Sequence, residues 1–324
     1  MRRQCRWTCI PVVVAVVILC LTPAYLLLVK GTNYWGSGIL HVKEEAPKKD
    51  IGTTRSVPPT GIRQEKTRIN STQQVSSEQS KSLDASPIAV CCMDLMNLDK
   101  DRALVMGHRR KSKGFLTIGI PFTPRSGGKS DLRKTLESLI QNTPSELLKS
   151  QVTIVIFTSA LDVGFRQSAH AIVSSFPDHV QGSVLQLIEA PRSFYPNLSA
   201  LGNSFLSGRV KMNLDNAFLL AYARDSSEFY LQLSYDLRAP PNYLQTIRNF
   251  IRQQGANYWV TLEFYPVGFA GKLFRGGGRD IQQLIHLLTE YSKEQSLGNL
   301  FVQFKNLNVQ QRDILWRPPL FSQL

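Results

Sequence analysis

Apolar residues fall along this chain in three regimes. Residues 10–29 (IPVVVAVVILCLTPAYLLLV) run without a charge, close to the roughly twenty residues a helix needs to cross a hydrocarbon core. Residues 30–113 turn to Ser, Thr, Gln, Lys and Pro, and VPPTGIRQEKTRINSTQQVSSEQSKS has no apolar period. Such a stretch buries too little surface to offset its chain entropy, so it is predicted to be a flexible stem. Its apolar knot, AVCCMDLM at 89–96, reads as a short helix packing on the following domain or as a contact between stems. Residues 114–324 alternate short apolar runs with stretches of helical spacing and are predicted to form the folded domain.

Within that domain FLTIGIP (115–121), QVTIVIFT (151–158), SVLQLI (from 183), FYLQL (229–233) and YWVTLEF (258–264) read as strands. Helices are predicted over 131–141, where Leu132, Leu136, Leu139 and Ile140 share one side, and around 164–174, 213–223 and 242–253. Strands alternating with helices of this length give an α/β domain, a mostly parallel sheet covered by helices. Ligands on such sheets collect at the carboxyl ends of the strands. The run 229–243 (FYLQLSYDLRAPPNY) breaks at Ser234, Tyr235 and Asp236 into a Pro-rich turn. Asp236 is the acid that this strand end offers to a divalent metal.

Charge sets the orientation of the apolar span. Arg2, Arg3 and Arg6 precede it and Lys30 follows, so residues 1–9 are expected in the cytosol and the rest across the membrane. The span is a transmembrane helix or a secretory signal; its length favours an anchor over the 7 to 15 apolar residues typical of a signal. With 43% hydrophobic residues and a net charge of +14 over 324 residues, the composition leaves room for a core and invites a nucleic-acid reading. RRKSK at 109–113 is the best support for that reading, yet it lacks interleaved aromatics and reads as a solvated basic linker, so no nucleic-acid partner is expected.

Cys5 and Cys9 lie before the span and Cys20 within it, while Cys91 and Cys92 sit near the end of the stem and no cysteine follows. Neighbouring cysteines rarely bridge each other, so oxidation would pair chains and predicts a homodimer through Cys91 or Cys92. The sequons at Asn70 (NST) and Asn197 (NLS) are candidate N-glycosylation sites in a lumenal domain.

Four local signals carry less. RSGGKS at 125–130 resembles the tail of a phosphate-binding loop, but Thr123 stands where the first glycine belongs and Pro121 and Pro124 stiffen the turn, so it reads as a plain loop. GGGR at 276–279 reads as a flexible connection with no strand before it. The five histidines are scattered without zinc-ligand spacing, and His286 is expected on a core or boundary face. Glu263, at a strand end, has no identifiable acidic mate for glycosidase chemistry. No catalytic residue is assigned.

LTIGIP, SFYPNLSAL, NLDNAFLLAYAR, FYLQLSYDL with PPNYLQTIRNF, LEFYPVGFAGKLF and WRPPLFSQ follow one another in this chain. That order over residues 115–323 closely resembles the N-acetylglucosaminyltransferase IV family. The resemblance implies a single-pass type II protein of the Golgi membrane with a GT-A-like fold. It also implies UDP-GlcNAc as donor, Mn²⁺ at an acidic strand end, and transfer of GlcNAc in β1,4 linkage to the α1,3-mannose arm of N-glycans.

In the active enzymes that strand end reads Leu, Glu, Asp, Asp; here it is Leu233, Ser234, Tyr235, Asp236. Residues two apart at a strand end face one side, so the family motif aims an acid pair at the donor and its metal. In this chain a hydroxyl replaces one acid and a bulky ring another, leaving Asp236 as donor and metal residue. Gly298 and Val302 stand where the family has two aspartates, one of them able to serve as base. The loop before the NLD segment reads as shortened at Arg209, Val210 and Lys211, Asn197 stands where the family has an aspartate, and by the resemblance the lectin-like module of the active enzymes is expected to be missing. These departures imply a catalytically impaired relative that modulates Golgi N-glycan GlcNAc transferases, with a weak metal-dependent transferase as the alternative.

Overall fold

The computed structural model describes residues 94–124 and 131–324. The expected anchor at 10–29, Asn70, Cys91, Cys92 and the RSGGKS segment lie outside the described residues. Among the described residues no helix is long and apolar enough to cross a membrane.

The folded domain opens with a 3₁₀ turn (Leu95–Asn97), helix α1 (Lys100–Ala103) and strand β1 (Leu104–Met106). Strand β2 (Gly114–Pro121), helices α2 (Leu132–Gln141) and α3 (Ser145–Gln151), and strand β3 (Val152–Ser159) follow. Helices α4 (Val163–Ser174) and α5 (Pro177–Gln181), strand β4 (Leu185–Ala190), and two 3₁₀ turns (Arg192–Phe194 and Leu198–Leu201) lead to the long helix α6 (Ser204–Ala223). Then come β5 (Ser227–Gln232), β6 (Leu237–Arg238), α7 (Tyr243–Gln254), β7 (Leu262–Glu263), β8 (Lys272–Arg275), α8 (Arg279–Glu290), α9 (Leu297–Leu307) and β9 (Ser322–Gln323).

A seven-stranded sheet runs in the order β1-β4-β3-β2-β5-β8-β7. Strands β4, β3, β2 and β5 are parallel; β1, β8 and β7 add antiparallel edges. Alternation along the central strands divides the core in two. Leu116, Ile118, Ile120, Ile154 and Ile156 pack with Leu132, Leu136, Leu139 and Ile247 on one face. On the other, Val155, Phe157, Ile188 and Tyr230 pack with Leu214, Phe218, Leu284, Ile285 and Phe304. Strands buried on both faces read as continuous apolar runs, which is why β2 and β3 stand out in the sequence.

The sequence expectation needs correction at five places. Residues 94–113 are not the end of a stem, because β1 pairs antiparallel with β4 and Arg110 donates to the Val152 carbonyl at 2.7 Å. The helix expected from 213 begins at Ser204, so Arg209, Val210 and Lys211 lie within it rather than in a shortened loop. Of the run 258–264 only Leu262 and Glu263 form a ladder strand. β8 directly precedes the GGGR segment, where Gly276 runs so close to β5 that an added Cβ would meet the Ser227 carbonyl oxygen at 2.1 Å. His286 is exposed, because Ile281, Leu284, Ile285 and Leu288 define the inner face of α8.

Candidate functional site at the carboxyl edge of the sheet

The carboxyl ends of the parallel strands carry the described buried ionic clusters. On the α6 side, Lys211 Nζ lies 2.7 Å from Oδ2 of Asp162, in the turn after β3. It lies equally close to Oδ2 of Asp215, one turn further along α6. The Tyr195 hydroxyl, from the loop after β4, donates to Asp215 Oδ1 at 2.5 Å. Asp215 is 3% exposed. Burial raises its carboxyl to about 6, although the Lys211 charge and the bonds from Lys211 and Tyr195 pull the other way. Burial together with the Asp215 charge pushes the Tyr195 phenol far up. Lys211 is raised: burial opposes its charge, and the two carboxylates outweigh that.

The middle of the edge is neutral and polar. Gly119, Gln232, Lys272 and Glu263 stand opposite one another in successive strands β2, β5, β8 and β7, so their side-chain positions share one face. Gln232 donates to Asn216 Oδ1 at 3.1 Å and accepts from the Tyr230 hydroxyl. That hydroxyl occupies the space left by the missing side chain of Gly119, where a Cβ would lie 2.2 Å from it.

At the other end Glu263 is held by two lysines. Lys272 Nζ lies 2.5 Å from Oε2 and Lys305 Nζ 3.4 Å from Oε1. Lys305 also pairs with Asp313, whose carboxyl falls below the usual range because of that hydrogen bond. Glu263 thus has basic mates that the sequence did not disclose, brought together from β7, β8 and α9.

The strand end itself takes a definite form. The Ser234 hydroxyl donates to Asp236 Oδ1 within the turn that follows β5. Tyr235 points the other way, its ring edge-on to Phe122 with centroids 5.2 Å apart. Its carbonyl accepts from Thr135 Oγ1 of α2 at 2.7 Å. The ring therefore fills the core and does not stand in the cleft, which corrects the expectation that it occupies a carboxylate's place there. Asp236 is half-buried, and its carbonyl accepts from the Leu324 amide at 2.9 Å. Gly298 and Val302 lie on the exposed side of α9. Asn197 is exposed on the loop between β4 and α6.

As a metal site this donor set is incomplete. A hard divalent ion takes six or more oxygens, whereas this strand end contributes one carboxylate and a hydroxyl already bonded to it. Among the described residues no three His, Cys, Asp or Glu side chains gather into a cation site.

The profile of the MGAT4 conserved region matches residues 88–317. The chain belongs to this family. The alpha-1,3-mannosyl-glycoprotein 4-beta-N-acetylglucosaminyltransferase C of Macaca fascicularis is 31% identical over 219 residues, 65% of this chain and 45% of that protein. The alpha-1,3-mannosyl-glycoprotein 4-beta-N-acetylglucosaminyltransferase-like protein MGAT4E of Mus musculus is 32% identical over 212 residues, 65% of this chain and 48% of that protein. The A enzyme of Mus musculus is 34% identical over 190 residues, 56% of this chain and 35% of that protein. The chain thus spans about half the length, or less, of the MGAT4 relatives it matches.

Solved structures match at low TM-score and low sequence identity. Mouse xyloside xylosyltransferase 1 in its apo form matches with TM-score 0.37 and 10% identity, over 63% of this chain and 85% of that one. Mannosyltransferase PcManGT from Pyrobaculum calidifontis, in complex with GDP-Man and Mn²⁺, matches with TM-score 0.35 and 11% identity, over 65% and 59%.

The residues missed by sequence reasoning are those of the polar layer. Asn213, Asp215 and Asn216 interrupt a helical run whose other members from Leu214 to Ala223 are apolar and buried. Polar side chains inside an all-round apolar helix were the available signal, since a buried charge needs a partner.

Proposed function

We propose that this MGAT4-family chain is a GT-A-like glycosyltransferase-type protein of N-glycan branching whose own catalysis is impaired, and that it modulates Golgi GlcNAc transferases. The family activity is transfer of GlcNAc from UDP-GlcNAc in β1,4 linkage to the α1,3-mannose arm. Its expected address is the Golgi membrane, as a single-pass type II protein with the folded domain lumenal.

One observation carries the impairment: the β5 strand end supplies a single carboxylate, Asp236, engaged by Ser234, while Tyr235 is committed to the core. The nearby acids add little. Asp162 and Asp215 share Lys211, and Glu263 is neutralised by Lys272 and Lys305. An attacking hydroxyl needs a base within hydrogen-bond reach, and the positions expected to provide one, Gly298 and Val302, carry no titratable group.

The alternative is a weak transferase, favoured by the retention of Asp236 at the strand end. There Mn²⁺ would be held by Asp236 and by the donor's own phosphates. A thermal-shift titration of the full chain in detergent separates the two readings. Unchanged melting with Mn²⁺ plus UDP supports impairment; a rise that Asp236→Ala abolishes supports the alternative. GlcNAc transfer to a biantennary glycan at enzyme-like rates would overturn the proposal.

A further inference from the structure

We infer that Asn197 is an N-glycosylation site whose glycan covers the end of the sheet at the β4–α6 loop, over the Tyr195–Asp215–Lys211–Asp162 cluster. The inference rests on the lumenal placement proposed above.

Three observations meet at this residue. Asn197 begins the sequon Asn197-Leu198-Ser199, and both its side chain and that of Ser199 are exposed. The Ser199 hydroxyl donates to Asn197 Oδ1 at 2.7 Å, so the two groups that the lumenal transferase must read together already face each other. The loop is fixed where it meets α6. The Leu198 carbonyl accepts from Ser207 Oγ at 2.8 Å, and Asn203 caps the helix by accepting from the Phe205 and Leu206 amides.

Placement gives the modification its consequence. Tyr195, two residues before Asn197, reaches inward to Asp215, and Lys211 lies over its ring at 5.8 Å. Asn197 is therefore the exposed continuation of the loop that closes the buried cluster. Ligands of a parallel sheet approach from this side, and a bulky solvated glycan here stands in their way. The covalent step is a group transfer from a lipid-pyrophosphate oligosaccharide. Asn197 Nδ2 forms the bond to the anomeric carbon, the bond from that carbon to the pyrophosphate oxygen breaks, the lipid pyrophosphate leaves, and the amide proton passes to the transferase's base.

The test expresses the full chain in mammalian cells as wild type, Asn70→Gln, Asn197→Gln, Ser199→Ala and Ser199→Thr, with and without amidase removal of N-glycans. Asn70→Gln should retain one amidase-sensitive mass increment, kept by added Ser199→Thr and lost on adding Asn197→Gln or Ser199→Ala. A glycan on Asn70 and none on Asn197 would overturn the inference while leaving the lumenal address intact. With neither site occupied the inference fails, and protease protection of a C-terminal tag in sealed microsomes then shows whether the address fails with it. Hydrogen exchange across 191–215 should be several-fold slower with the glycan than in Ser199→Ala. Equal exchange would overturn the covering role.

Discussion

Lys211 Nζ stands 2.7 Å from Asp215 Oδ2 one helical turn away, and equally close to Asp162, so a single ammonium serves two carboxylates. The group that gives way on acidification is Asp215, raised by burial from 3.8 to about 6. A folded value above the unfolded one means that the native state binds the extra proton first. The contribution is fully present below pH 3.8 and is lost as pH rises through about 6. Asp215→Asn should remove this falling slope of stability between those values, on the order of 3 kcal/mol. Melting temperature measured against pH for both proteins checks it.

Tyr235 makes the strand end hard to restore. Tyr235→Asp would put a carboxylate into the pocket beside Phe122 and α2, losing the ring's packing and burying an unpaired charge. The expected loss is about 3 kcal/mol or more, read by urea denaturation. A variant as stable as wild type would show that the ring is dispensable to the core.

Glu263 balances Lys272 and Lys305 in a buried setting. Glu263→Gln should cost roughly 3–5 kcal/mol, because two ammonium groups lose their shared partner. Adding Lys272→Met should recover part of that loss, and the double-mutant cycle measures how much the pair is coupled.

Much of this architecture was readable in the sequence, for a physical reason. β2 and β3 are buried on both faces and so announce themselves as apolar runs, and α2 buries one stripe with helical spacing. The segment 258–264 misled because its apolar residues reach the core largely without ladder partners. β1 was missed because a three-residue edge strand leaves almost no periodic trace. The polar layer was readable only in part: polar residues inside the apolar run of α6 mark Asn216, but Gln232, Lys272 and Lys305 belong to three other elements, and only tertiary folding brings them to it. Asp236 was visible as a residue, but Tyr235's inward turn depends on Phe122 and Thr135, about a hundred positions earlier in the chain.

Gly276 allows a sharper test of the fold. Gly276→Ala brings a methyl group to within 2.1 Å of the Ser227 carbonyl oxygen, a backbone atom that cannot swing aside. A loss of about 1–3 kcal/mol is expected, with the unfolding cooperativity unchanged. A neutral result would mean that β5 and β8 separate more easily than their pairing implies.

The short ribbon of β6 and β9 pairs Leu237 with Gln323 and Arg238 with Ser322, and the Leu324 amide reaches the Asp236 carbonyl. Residues from the middle of the described chain and from its last positions thereby share one short ribbon. A fluorophore or affinity tag joined after Leu324 would hang from the seat of Asp236 and act as a sensor of that strand end.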